Sequence, residues 1–231
     1  MPSPARRCPL APFSPPALFP DARLPRVARL LALALLPWVL VGAALYGFRR
    51  FDLAFLAYHL TCFAAFWILG GRRAGPGREA LPFLLAAALF APLATLVVLQ
   101  FADFPLIRGV MAGFGFSPWQ LPLLGAWFLL VHPLAEEAFW RGTIYEGLAR
   151  DLPQAWAAGL SSALFGAWHA LVLIPVLPSW WWLGTLGVVG FGMAMVSLYR
   201  ARDGQLLPCT VFHCVGADLP LLVVLALAFA A

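Results

Sequence analysis

Charge is what this sequence has least of. Only 11% of its 231 residues are charged, and lysine is absent: all 15 cations are arginine, set against 10 acidic side chains for a formal net charge of +5. A soluble domain carries about 25% charged residues. Hydrophobic residues reach 63% and the mean hydropathy is +0.88. A water-soluble globule of this size cannot hide that much apolar surface, because folded domains of this length still expose a large fraction of their area. The composition excludes a soluble enzyme, a disordered chain, and a nucleic-acid binder inferred from the basic pI. An integral membrane protein remains, with the lipid bilayer as its first partner. The all-arginine cations point to a GC-rich bacterial gene and hence to a bacterial inner membrane.

Cysteine chemistry is also missing. Cys8, Cys62, Cys209 and Cys214 form no CxxC pair, and two of them lie in apolar runs, so they read as small buried hydrophobes rather than disulfide or zinc ligands. No strand alternation is visible, which disfavours a β-barrel, and no internal repeat is evident. Residues 1–26 are rich in proline and arginine without an apolar run long enough to span; they read as a flexible cytosolic tail. The run at 30–46 resembles a signal peptide, but Arg49, Arg50 and further apolar runs follow, so an uncleaved first span is expected.

A bilayer core of ~30 Å takes about 20 apolar residues in a helix. Spans are expected near 28–47, 52–70, 80–101, 119–149, 154–174, 181–199 and 205–230: an all-α polytopic bundle of about seven (six to eight) helices. The fourth is too long for a simple crossing and is expected to bend at Pro133 or to protrude. With the N-terminus in the cytosol, eleven arginines fall on inner segments, three (Arg49, Arg50, Arg108) on outer loops, and Arg141 within a span. That bias predicts a cytosolic N-terminus and a C-terminus on the far side. Three regions follow: the tail at 1–26, N-terminal membrane helices at 27–118, and a functional helical core at 119–231.

Ionisable groups deep in a membrane cost several kcal/mol and generally face an internal cavity. Here they are grouped: His132, Glu136, Glu137 and Arg141 on the fourth span, His169 on the fifth, His213 and Asp218 on the seventh. In PLAEEAFWRG, Glu137 and Arg141 are four apart and share a helix face, so they pair. Glu136 points about 100° away, towards Trp140. One acid is neutralised by the arginine; the other is poorly solvated, as a general base working near neutrality must be. A structural salt bridge with a spare glutamate is the plainer alternative.

His169 stands alone in SSALFGAWHALVL and by itself reads as a core histidine. The tight turn at 151–153 makes spans four and five an antiparallel pair, however. Glu136 and His169 lie 16 and 17 residues from residue 152, each about 25 Å up its helix at ~1.5 Å per residue. A carboxylate and an imidazole at equal height on adjacent helices can activate water. His213, in CTVFHCVGADLP, lies only 8 to 10 residues into its span, roughly 12–15 Å. His132 precedes Glu136 by one turn and Pro133 follows it, so it is expected at the mouth of the site or behind the reacting groups. Trp180–Trp182 read as an interfacial aromatic belt, and Asp103 and Glu146 as charges at span ends.

The set Glu136–Glu137–x–x–x–Arg141, Phe165–x–x–x–His169 and a third-helix histidine, His213, resembles the CPBP family (CAAX prenyl protease and bacteriocin processing, also ABI) of intramembrane endopeptidases. The resemblance covers roughly residues 119–220. It implies that Glu136 with His169 activates a water that attacks the scissile carbonyl, that His213 helps hold the oxyanion, and that Glu137 with Arg141 positions the site. It also implies a membrane-anchored protein or propeptide as substrate. The family commonly places Asn or Asp four residues after the third histidine; here that position is Ala217, and Asp218 lies about 140° round a regular helix from His213. Pro220 cannot donate to the carbonyl of Gly216, so a distorted helix is expected. A one-residue bulge would return Asp218 to the site; without it an oxyanion donor is missing.

Two histidines and two glutamates are also a ligand set for zinc, but HExxH is absent and the residues are spread over three helices, so no metal cofactor is expected. A proton-coupled transporter would show paired repeats or broken helices in corresponding halves, and neither is seen. A catalytically inactive membrane partner or immunity protein on the same scaffold is the remaining alternative.

Overall fold

The computed structural model describes residues 26–71 and 81–230, and among them there is helix and no strand. The inner segment with Arg72, Arg73 and Arg78, the tail to residue 25, and Cys8 lie outside the described residues. The chain runs through α1 (Arg26–Gly47), α2 (Phe51–Ile68), α3 (Leu81–Phe101), α4 (Phe104–Gly113) and α5 (Leu121–Leu130). Then come α6 (His132–Phe139, continued by Trp140–Tyr145 and Glu146–Leu148), α7 (Gln154–Val176), α8 (Trp181–Ala201) and α9 (Leu206–Ala230). Six of these are long and apolar enough to cross a membrane: α1, α2, α3, α7, α8 and α9.

The fourth expected span is not one long helix. It breaks at Val131 into α5 and α6. Pro133 explains the break: lacking an N–H, it leaves the carbonyl of Leu129 without its helical donor. The thiol of Cys214, on α9, supplies one at 3.3 Å. The same substitution of partners occurs in α7, where Pro175 frees the carbonyl of Leu171 and the Tyr46 hydroxyl donates to it at 2.5 Å. In each case a side chain from another helix satisfies a backbone group that lipid cannot.

Where a loop carrying Arg108 is expected between the third and fourth spans, the chain forms the helix α4. Ten residues are too few to span, so hydropathy alone did not mark it. Its N-terminus is capped by Asp103, whose Oδ1 accepts from the Leu106 N–H at 2.9 Å. Arg108 reaches from its side to the carbonyl of Ala228, near the end of α9, at 2.9 Å.

One end of the bundle joins Arg26 to Asp151 (3.7 Å) and Arg200 to Gln154 (2.5 Å). The other joins the Phe51 N–H to the Phe114 carbonyl (2.8 Å) and Arg108 to α9. Between them α7 and α8 approach closely because Gly166 faces α8: a Cβ there would lie 2.9 Å from the backbone nitrogen of Val189. A buried apolar cluster built around Leu45, Tyr58, Phe139, Trp140, Phe165 and Tyr199 surrounds the polar residues. Trp180, Trp181 and Trp182 are exposed, and Cys62, Cys209 and Cys214 are free thiols.

Candidate active site

Within that apolar surround, Glu136, Glu137, Arg141, His132, His213 and Asp218 are all buried, the two glutamates at 0% exposure. The adjacent acids on α6 face different partners, as the 100° step requires. Glu137 Oε1 accepts from His213 Nδ1 at 2.7 Å and pairs with Arg141 Nη1 at 3.1 Å. The guanidinium of Arg141 also lies 4.6 Å from the centre of the Phe165 ring, a cation–π contact. Nη2 reaches the carbonyl of Gly192 at 3.5 Å.

Glu136 turns the other way. Its Oε1 accepts from the Tyr58 hydroxyl at 2.5 Å, and that hydroxyl accepts from Trp140 Nε1 at 3.0 Å. Its Oε2 is buried with no hydrogen-bond partner. His213 Nε2 lies 3.5 Å and His132 Nε2 3.8 Å from that oxygen.

Two π-turns shape the cluster. A π-turn accommodates an extra residue within a helix and is frequent at functional sites. The one at Trp140–Tyr145 begins three residues after Glu137. The second, Cys214–Asp218, follows His213 and supplies the one-residue offset that brings Asp218 inward. Asp218 is 3% exposed, with Oδ1 3.7 Å from His213 Nε2 and 3.8 Å from His132 Nε2.

His169 is brought to the edge of this cluster rather than against a carboxylate. Its Nδ1 is 2.7 Å from the Phe165 carbonyl, which can only accept, so Nδ1 carries the proton and Nε2 keeps its lone pair when the ring is neutral. Its ring packs on Phe165 and Trp168, 4.7 and 4.2 Å between centres. The imidazoles that meet Glu136 are His132 and His213. His132, Glu136 and His213 each offer one atom within 4.8 Å of the others, a set able to hold a metal ion.

Residues 118–216 match the family model described as Type II CAAX prenyl endopeptidase Rce1-like. This stretch is similar to an Rce1-like domain. It holds His132, Glu136, Glu137, Arg141, Phe165, His169 and His213, while Asp218 lies two residues beyond its end. No curated protein and no solved structure matches the chain. The Rce1-like domain does not contain Tyr58 or His59, which α2 delivers to the same cluster. His59 Nε2 lies 2.8 Å from His132 Nδ1, and its own Nδ1 lies 2.5 Å from the Phe55 carbonyl. Sequence reasoning missed both α2 residues; the signal was a Tyr–His pair inside an otherwise apolar span.

Proposed function

We propose that the chain is an intramembrane endopeptidase that hydrolyses a peptide bond of a membrane-anchored protein or propeptide with a water activated by Glu136. The observation that carries this is the buried, unpartnered Oε2 of Glu136, facing two imidazoles inside a helix bundle. The match to the Rce1-like family model supports a protein substrate, and the arginine bias supports an N-terminus on the cytosolic side of a bacterial inner membrane.

In this mechanism Glu136, with His169 Nε2 as the second acceptor at the edge of the cluster, takes a proton from water as its oxygen bonds to the scissile carbonyl carbon. The carbonyl π electrons move to oxygen. His213 donates to that oxyanion from Nε2–H, which requires both ring nitrogens to be protonated, the Nδ1–H being held by Glu137. Arg141 holds Glu137 in turn. Asp218 assists the oxyanion as a donor only while it carries its own proton. Collapse re-forms the carbonyl and breaks the C–N bond, and the proton held by Glu136 passes to the departing amine.

A second reading is favoured by the His132, Glu136 and His213 donor set. These three residues would hold a divalent cation, which would supply Lewis acidity at the scissile carbonyl. One comparison tests both readings: protein termini in membranes containing wild type or Glu136→Ala, with and without chelator. New termini lost in the variant and kept with chelator support glutamate catalysis. Loss with chelator favours the cation, and termini unchanged by the variant reduce the chain to an inactive partner.

A further inference from the structure

Four histidines are present in the chain, and two of them, His59 and His132, hydrogen-bond ring to ring inside the bundle at 1% and 7% exposure. The order of protons along this pair follows from its far end. The Phe55 carbonyl can only accept, so His59 Nδ1 is the N–H. A charged His59 would be a buried cation touching no carboxylate, a costly arrangement, so the ring is neutral and its Nε2 bears a lone pair. The proton between the rings therefore belongs to His132 Nδ1. In the neutral ring this leaves His132 Nε2 as an acceptor, 3.8 Å from both Glu136 Oε2 and Asp218 Oδ1.

That assignment decides what Glu136 can do. If His132 carried its proton on Nε2, it would donate towards the carboxylate and occupy the one oxygen that has no partner. With the proton on Nδ1, His132 Nε2 meets that oxygen as a second acceptor and cannot occupy it, so the oxygen stays open to a donor such as water. His132 is held in this orientation by rings on both sides: it lies 5.9 Å from Phe55, stacked at 18°, and 4.5 Å from Phe128. Trp127 packs edge-on against His59 at 5.6 Å.

We propose that His59, on α2 and outside the Rce1-like domain, is a positioning residue: it fixes the Nδ1–H tautomer of His132 so that His132 Nε2 does not donate to Glu136 Oε2, and that oxygen stays open to take a proton from the attacking water. The proposal rests on the endopeptidase reading above. It assigns the N-terminal helices a part in the chemistry beyond anchoring.

The test is nitrogen NMR of the full chain in lipid bilayers with histidine labelled, where four residues give at most four ring pairs. The expected wild-type spectrum shows protonated Nδ1 on both His59 and His132, with a coupling across the N–H···N bond. In His59→Leu the coupling disappears and His132 shifts to the Nε2–H form. Cleavage of the substrate found by terminus comparison then falls by on the order of 10²-fold in kcat, with KM little changed. His59→Gln keeps a carbonyl oxygen near the old Nε2 and restores both. A wild-type His132 protonated at Nε2 overturns the proposal, as does a folded His59→Leu with unchanged kcat. Should His59→Leu fail to fold, the wild-type spectrum alone decides. Failure of the endopeptidase reading looks different: termini that do not change in Glu136→Ala, whatever the tautomer.

Discussion

His213 Nδ1 and Glu137 Oε1 stand 2.7 Å apart, although 76 residues separate them in the chain. The same oxygen is 3.1 Å from Arg141 Nη1, so a single carboxylate oxygen holds both the ring on α9 and the cation one turn along α6. Glu137 is thus the joint between the two halves of the site, and Glu136 is left free of the arginine for chemistry.

Breaking that joint should destabilise the fold as well as the reaction. Arg141 is 1% exposed, and removing one partner of a buried pair leaves an uncompensated charge, at about 3–5 kcal/mol. Glu137→Leu is expected to lower the melting temperature in detergent and the yield in membranes. The double variant Glu137→Leu/Arg141→Met should recover much of that stability without recovering cleavage, because His213 still lacks its acceptor. Thermal unfolding of the three proteins beside their cleavage rates checks this; equal stability in both variants would contradict it.

Tyr58→Phe removes one hydroxyl and two hydrogen bonds, one to Glu136 Oε1 and one from Trp140 Nε1. A hydrogen bond to a charged group contributes about 1.5–3 kcal/mol. The variant should fold and cleave more slowly by about one to two orders of magnitude. Initial rates at saturating substrate are the measurement, and wild-type kcat would remove Tyr58 from the account.

The parts of this site that were legible beforehand are those carried by local spacing. Glu137 and Arg141 were readable as a pair because four residues make one turn, and Asp218 as a displaced residue because five do not. Pro133 marked the bend in the fourth span. What spacing could not show is which helix stands beside which. Equal height predicted a Glu136–His169 pair, but height says nothing about rotation, and the imidazoles facing Glu136 come from His132 and His213 instead. Tyr58 and His59 reach the site from 78 and 73 residues away, and only tertiary packing makes those separations short. The thiol cap on Leu129 is hidden for the same reason: a cysteine in an apolar run reads as a small hydrophobe, and only the packing of α9 beside α5 gives it a carbonyl to meet.

Close packing of α7 on α8 gives a prediction about the scaffold. Gly166 has no room for a side chain, since a Cβ would meet the backbone nitrogen of Val189 at 2.9 Å. Backbone cannot rotate away as a side chain can, so Gly166→Leu must push the helices apart, at about 1–3 kcal/mol or more. The expected result is a lower melting temperature and poor recovery from membranes, with Gly159→Leu, where nothing lies within 4 Å, as the neutral control.

Asp218 separates the position of a group from its charge. The π-turn sets its Oδ1 3.7 Å from His213 Nε2, which suits either a proton donor to an oxyanion or an acceptor that fixes the ring. Asp218→Asn keeps the shape and always carries N–H donors, so under the donor role it retains kcat or raises it. Asp218→Leu keeps the branched skeleton and loses the donor, and should reduce kcat by on the order of 10²-fold while KM stays near wild type. If the acceptor role holds instead, Asp218→Asn falls with Asp218→Leu, because an amide cannot replace the carboxylate's charge beside the imidazole. The ratio of the two variants' kcat values, measured on one substrate, therefore reads out which role the π-turn was built to serve.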